Sequence, residues 1–159
     1  MAIVWTNKPQ LDREFRALQD IYDIKAIREL MKVGEECVRR AREEGNYTDR
    51  TANLRNSIGY IVIHDERIMF DSFNGSATGP ETQPGDRELA HQRGLEYAKR
   101  VGDELKGYKT YLVLVAGMEY AAYVEARGRD VIQSTADWVE ARRTELMDEF
   151  RRYLMSDKI

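Results

Sequence analysis

The sequence predicts an α+β domain: a small, mostly antiparallel sheet flanked by a long N-terminal helix, a middle helix and a C-terminal helix. Apolar residues recur at three- and four-residue steps in three separate stretches, which is helical periodicity. Between them lie two β-branched and aromatic stretches bounded by turn residues, which is the signature of strands. At 159 residues and 18.5 kDa the expectation is a single domain spanning 1–159, large enough to fold without a disulfide or metal.

The first helix is expected over residues 11–44. Ala17, Ile21, Ile24, Ile27, Met31, Gly34, Val38 and Ala41 form its main apolar stripe. Leu11, Phe15, Leu18 and Tyr22 form a second, offset stripe. A helix this long either breaks near Asp23 or packs its first turns on a different surface from its last. Gly45 and Asn46 end it. The polar stretch that follows holds Leu54 and Ile58 four residues apart, which suits a short helical turn capped by Asp49 or Thr51. Residues 60–64 (Tyr-Ile-Val-Ile-His) predict a strand, Asp65-Glu66 a turn, and residues 67–73 the return strand of a hairpin.

Residues 74–85 contain three Gly and two Pro and one apolar residue, Ala77. They predict a mobile loop, with Asn74, Gly75, Gly79, Pro80, Pro84 and Gly85 as its interface-forming positions. A helix then runs to about residue 106, its partly apolar face made by Leu89, Ala90, Arg93, Gly94, Tyr97, Ala98, Val101 and Leu105. Residues 108–116 form a near-continuous apolar run, which predicts a central strand covered on both faces. The last helix is expected over residues 135–155, with Thr135 as its cap and Val139, Leu146, Phe150 and Tyr153 on one face.

Composition narrows the function classes. Lys and Arg total 25 and Asp and Glu 28, for a net charge of −3, so nothing suggests a protein that coats nucleic acid or an anionic membrane. The start of the chain has no secretory pattern, and the apolar run at 111–117 is far too short to cross a bilayer. A soluble protein made in a cytoplasm is expected. Cys37 is the only cysteine, which excludes an intrachain disulfide and four-Cys zinc sites; its place beside an apolar stripe suits a core residue.

No arrangement of residues marks a catalytic site. His64 and His91 are the only histidines and fall on different predicted elements, and His64-Asp65-Glu66 cannot converge on one metal from an unbulged strand. Neither a metal nor a cofactor is expected. Gly102-Asp-Glu-Leu-Lys-Gly-Tyr-Lys-Thr approaches a phosphate-loop pattern. It carries one residue too many, however, and joins a helix to a strand, the reverse of the order that aims a helix N-terminus at a phosphate. The pairs Arg39-Arg40, Arg142-Arg143 and Arg151-Arg152 each have acids nearby and read as salt-bridge partners. Sequence-specific nucleic-acid binding is not expected. Tyr120 and Tyr123, with Ala121, Ala122 and Ala126 among them, allow either core packing under a loop or a self-association surface.

Two segments together resemble a known family. Thr-Asp-Arg-Thr-Ala-Asn-Leu-Arg-Asn-Ser-Ile-Gly at 48–59 looks like the Thr-Gly-x-Leu-Arg-x-Ser-Ile signature of phage head–tail joining and tail-completion proteins of the HK-ninety-seven gene-product-ten type, with Ala52 in the place of the Gly. Gly-Met-Glu-Tyr-Ala-Ala-Tyr-Val-Glu at 117–125, followed by Gly128, is similar to that family's second signature, Val-Gly-x-x-x-x-Tyr-Ala-x-Tyr-Val-Glu-x-Gly. The order of long helix, first motif, strands and second motif also agrees.

The resemblance implies a non-enzymatic virion component, made in the cytoplasm of a bacterial host and placed at the virion neck or tail. Its implied partners are further copies of itself in a ring and the neighbouring head-connector and tail proteins. Tyr120, Ala121, Tyr123, Glu125 and Gly128 would shape the second motif, and Thr51, Asn53, Leu54, Ser57 and Ile58 would brace it. An interaction module unrelated to phages, or a small enzyme with an unmarked site, are the alternatives.

Overall fold

A computed structural model describes residues 8–156. Helix α1 spans Lys8–Glu44 and α2 Asn53–Asn56. Strands β1 (Ile58–His64) and β2 (Arg67–Asp71) follow. Then come α3 (Asp86–Glu104), β3 (Thr110–Ala116), α4 (Ala121–Ala126), α5 (Gln133–Ala141) and α6 (Arg143–Leu154). The fold is α+β, with one three-stranded antiparallel sheet in the order β2-β1-β3.

The strand expected at the centre, β3, is therefore at an edge, and β1 holds the middle. An apolar run reports that both faces of a strand are covered, which says nothing about how many strands lie beside it. Both faces are indeed covered. Tyr60 and Val62 of β1 point to α1, where Val38, Ile27 and Met31 meet them together with Leu112 and Leu114. Ile61 and Ile63 point the other way and pack with Val113, Val115 and Phe73 against Ala98, Leu95 and Val101 of α3. Period-two alternation thus splits one strand between two cores. Each aliphatic side chain fully buried this way contributes about 1.5–3 kcal/mol.

Helix α3 comes close to the sheet because its buried ridge is Ala90, Gly94, Ala98 and Gly102, at steps of four. The larger residues expected on its face, Leu89, Tyr97 and Leu105, stay substantially exposed. A Cβ on Gly102 would meet Ile63 Cδ1 at 2.6 Å, and one on Gly34 of α1 would meet the Tyr60 ring at 2.6 Å, so glycine sets the spacing on both sides. The Tyr60 hydroxyl donates toward the Met31 carbonyl (3.0 Å) and Glu35 Oε1 (2.9 Å). Burial, then Glu35, holds its ionisation well above the ordinary tyrosine range. Cys37 is buried, and burial pushes its thiol up to about 11, so it stays protonated and inert at neutral pH.

Helix α1 does not break near Asp23. Its C-terminal half carries the core, while residues 12–20 are exposed on every side. Of the main stripe only Gly34, Val38 and Ala41 are buried, with Ile27 and Met31 half-buried against the sheet. The expected last helix is two helices, α5 and α6, divided at Arg142. Helix α6 packs antiparallel on α1 and ends over Lys25. The Lys25 ammonium is buried and donates to the carbonyls of Tyr153 (3.4 Å), Leu154 (3.3 Å) and Ser156. A cation at the negative end of a helix is the favourable sign of charge there. Five of the six paired arginines form salt bridges: Arg39 with Glu43, Arg40 with Glu44, Arg142 with Glu36 and Glu145, Arg143 with Glu140, and Arg151 with Asp148, while Arg152 donates to the Asp148 carbonyl (3.3 Å).

The β1–β2 turn is a two-residue loop in which Asp65 (φ 45°) and Glu66 (φ 63°) are both left-handed. That geometry matches strand twist but suits Asn-Gly far better than Asp-Glu. The double substitution Asp65→Asn, Glu66→Gly is expected to stabilise the domain by about 1 kcal/mol. Thermal unfolding should show a rise of about 3 °C.

Candidate functional site

The two sequence motifs, sixty residues apart, fold into one unit at the end of the sheet. Leu54 and Ile58 of the first pack with Ala121 of the second in a core that also takes Ala41, Ala116 and Val131, with Val124 and Met118 at its margin. Ser57 ties the backbones together. Its hydroxyl donates to the Leu54 carbonyl (2.8 Å) and accepts from the Gly117 N–H (3.1 Å), which also points at the Ser57 carbonyl (3.1 Å). Gly117 lies directly on the backbone of Gly94 in α3, and a Cβ on Gly94 would fall 2.7 Å from the Ser57 carbonyl oxygen. Three segments therefore meet backbone to backbone, with no room for side chains between them.

The turn before α2 is capped differently from the expectation. Asp49 does not cap it; its Oδ2 pairs with Arg55 Nε at 2.5 Å. Thr51 Oγ1 accepts from the Asn53 N–H at 3.4 Å, a long contact. Ala52 carries φ 60°, in the left-handed region where glycine is at no disadvantage. Asn53 is buried, and its Oδ1 has no partner among the described residues.

In the second motif, Gly128 (φ 74°) closes α4. Its N–H donates to the Glu125 carbonyl (3.0 Å) and the Arg129 N–H to that of Val124 (3.3 Å), the paired bonds of a Schellman stop. The Glu125 carboxylate then does what Thr135 was expected to do. It accepts from the N–H groups of Val131 (3.1 Å), Ile132 (3.2 Å) and Gln133 (3.1 Å), capping α5 from a neighbouring helix. Asp130 adds a bond to the Ser134 N–H at 3.0 Å. Thr135 itself is buried inside α5. Tyr120 and Tyr123 are exposed, and the Arg127 guanidinium lies 4.6 Å from the Tyr123 ring centre. The pair is therefore not packed in the core, and of this stretch only Ala121 is buried.

Residues 74–85 do not hang free. Asn56, fully buried, exchanges two hydrogen bonds with Ala77: its Nδ2 donates to the Ala77 carbonyl and its Oδ1 accepts from the Ala77 N–H, both at 2.9 Å. Gly75 is packed on Asn56 and its carbonyl accepts from His91 Nε2 at 2.8 Å. Gly79 sits on the carbonyls of Asp49 and Arg50. The Glu81 N–H donates to the Arg50 carbonyl (2.8 Å), the Thr82 hydroxyl to that of Thr51 (3.0 Å), and Arg50 holds the Glu81 carboxylate with two bonds of 3.0 Å. Asn74 Oδ1 accepts from Arg42 at 3.2 Å. The expected mobile loop is a strap across the first motif, and Pro80, Pro84 and Gly85 are its exposed outer positions.

An open groove of about 360 Å³ runs between the strap and the second motif, bordered by Tyr47, Thr51, Asn53, Glu81, Tyr120 and Val124. Burial pushes the Tyr47 phenol up to about 12, and burial with Asp49 and Asp86 raises that of Tyr120. Among the described residues no cluster of His, Cys, Asp or Glu is placed to hold a metal ion. His64 Nδ1 instead lies 2.8 Å from the Thr110 hydroxyl. The segment from Gly102 to Thr110 runs from helix to strand. No described helix is long and apolar enough to cross a membrane.

Sequence reasoning missed Asn56, the backbone contact at Gly94 and the capping role of Glu125. Asn56 had one available signal: a polar residue between Leu54 and Ile58 in an otherwise buried turn needs a partner. No protein-family model, curated protein or solved structure matches the chain.

Proposed function

We propose that this chain is a non-enzymatic structural subunit of a tailed bacteriophage or prophage, which joins head to tail or completes the tail by assembling as a ring at the neck. The observation that carries this reading is the behaviour of the two resembling segments. They pack into a single unit, and Ala52, standing where the resembled signature has glycine, adopts the left-handed backbone that a glycine there serves. The roles of the motif residues are architectural: Ser57 and Gly117 join the segments, Leu54, Ile58 and Ala121 fill the space between them, and Glu125 and Gly128 set the course of the chain into α5. Tyr120 and Tyr123 present exposed aromatic surface of the kind protein interfaces favour, and Tyr120 shares a groove with Glu81 of the strap. The proposed partners are further copies of the chain and the adjoining head-connector and tail proteins.

Deleting the gene from its phage or induced prophage tests the reading by electron microscopy of the lysate. DNA-filled heads accompanied by separate or malformed tails are expected. Normal, infectious particles would overturn it.

A further inference from the structure

We propose that the outer edge of β3 takes residues 2–6 of a second copy of this chain as an added strand. The inference does not depend on the virion reading.

The edge has unpaired peptide groups along its whole length. At the two ends of the β1–β3 ladder the Asp65 N–H donates to the Lys109 carbonyl (2.9 Å) and the Gly117 N–H to that of Ser57 (3.1 Å). Hydrogen-bonded pairs alternate along an antiparallel ladder, so Tyr111, Val113 and Val115 also turn their peptide groups to β1. Thr110, Leu112, Leu114 and Ala116 turn theirs outward, and no backbone hydrogen bond among the described residues reaches them. Folded proteins ordinarily blunt such an edge with charge, proline or a bulge. The opposite edge, β2, carries Arg67 and Asp71 and a register shift against β1. Strand β3 reads Thr-Tyr-Leu-Val-Leu-Val-Ala and pairs without a shift. Its faces are covered from the α1 and α3 sides, so the edge is its open side, and a row of free N–H and C=O groups is matched by another extended backbone.

Residues 1–7 lie outside the described residues, and their sequence supplies such a backbone. Ala-Ile-Val-Trp-Thr at 2–6 is uncharged, holds neither Gly nor Pro, and is mostly β-branched or aromatic, the composition of a strand. The course of α1 directs this segment to another copy. Helix α1 lies along β3 in the same direction: Asp23 accepts from Lys109 at the start of the strand, and Ala41 shares a core with Ala116 at its end. Along the helix axis Lys8 therefore stands about 22 Å before the start of β3. The middle of β3 is about 13 Å further on. Residues 2–7, fully extended, span at most about 21 Å, so they cannot lie along the edge of their own chain. Residues 12–20, exposed on every side, then act as the spacer that carries the segment to a neighbour. With one such segment and one such edge per chain, two copies exchange segments or successive copies link head to tail.

The test uses the full chain, with sedimentation equilibrium and amide hydrogen exchange by nuclear magnetic resonance read from micromolar to millimolar concentration. The mass is expected to rise above the 18.5 kDa of one chain. Over the same range exchange at the outward amides of Leu112, Leu114 and Ala116 should slow by at least about tenfold. Val4→Pro removes a donor and bars a continuous strand over residues 2–6. It should give a monomer, return those three amides to fast exchange and leave the amide signals of β1 and α3 in place. Val4→Ile, which keeps the strand composition, should behave as the wild type. A wild-type monomer with fast edge amides overturns the proposal. An assembly whose edge amides stay fast, or one that survives Val4→Pro, overturns it equally. So does a monomer whose edge amides are slow, because the edge is then covered within a single chain.

Discussion

Replacing Gly117 by valine should unfold a large fraction of the molecules at temperatures where the wild type is stable. A Cβ at this position would be driven into the Cα and N of Gly94 and would reach the Arg93 carbonyl carbon at 2.8 Å. These are backbone atoms of a helix anchored along its length, so no rotamer change can make room. The Gly117 N–H is also held by Ser57, which stops the strand end from backing away. Overpacking a core costs 1–3 kcal/mol when side chains can yield, and here they cannot, so about 4 kcal/mol is expected. That is a large share of the 5–15 kcal/mol total of a typical domain. The melting temperature should fall by about 10 °C. Gly107 provides the contrast. It has a positive φ but open space around it, so Gly107→Asn should cost no more than about 1 kcal/mol. Equal effects at the two sites would mean that the motifs and α3 are not in backbone contact.

The same contact shows why part of this fold was legible in the sequence and part was not. Periodicity is a statement about faces, and it located them in part: the C-terminal half of α1 buries its stripe, β1 and β3 are covered on both sides, and the hairpin turns at Asp65 and Glu66. Lateral order is a different quantity. β1 and β3 carry equally apolar runs, and only hydrogen bonding to β2 makes β1 the middle strand. Size misled in α3, where Leu89 and Tyr97 weigh more in any amphipathic reading than Ala90 and Gly94. A helix that must approach a sheet closely buries its smallest residues, not its largest. The split at Arg142 lies within a continuous helical pattern, and Thr135 was an attractive cap only because the carboxylate that caps α5 comes from the preceding helix. Long-range caps leave no local trace.

The strap is the clearest case of composition answering a different question from the one asked. Three Gly and two Pro say that residues 74–85 form neither helix nor strand. They do not say that the peptide groups are free. Tertiary partners satisfy them, and most of those partners lie in the first motif. Deleting the segment should therefore cost stability as well as any interface it forms.

Asn56→Asp isolates that cost in one atom. In the wild type the amide gives one hydrogen and takes another from Ala77, at a position excluded from solvent. A carboxylate can still accept from the Ala77 N–H but turns an unprotonated oxygen toward the Ala77 carbonyl. At neutral pH the variant should lose about 3 kcal/mol, combining a lost hydrogen bond with a buried, unpaired charge. Protonation repairs the geometry, because a carboxylic acid donates through one oxygen and accepts through the other, as the amide does. The folded state therefore binds the proton more tightly than the unfolded chain, and the side chain's pKa is raised on folding. A raised folded pKa means the stability is fully present below the unfolded value and is lost as pH rises through the folded one. Denaturant titrations from acid to neutral pH should show the gap between Asn56→Asp and wild type opening as pH rises. Asn56→Leu, which can neither donate nor accept, should be destabilised with no such pH dependence. A gap independent of pH in Asn56→Asp would mean that Asn56 does not face the Ala77 peptide and that the strap is held by other contacts.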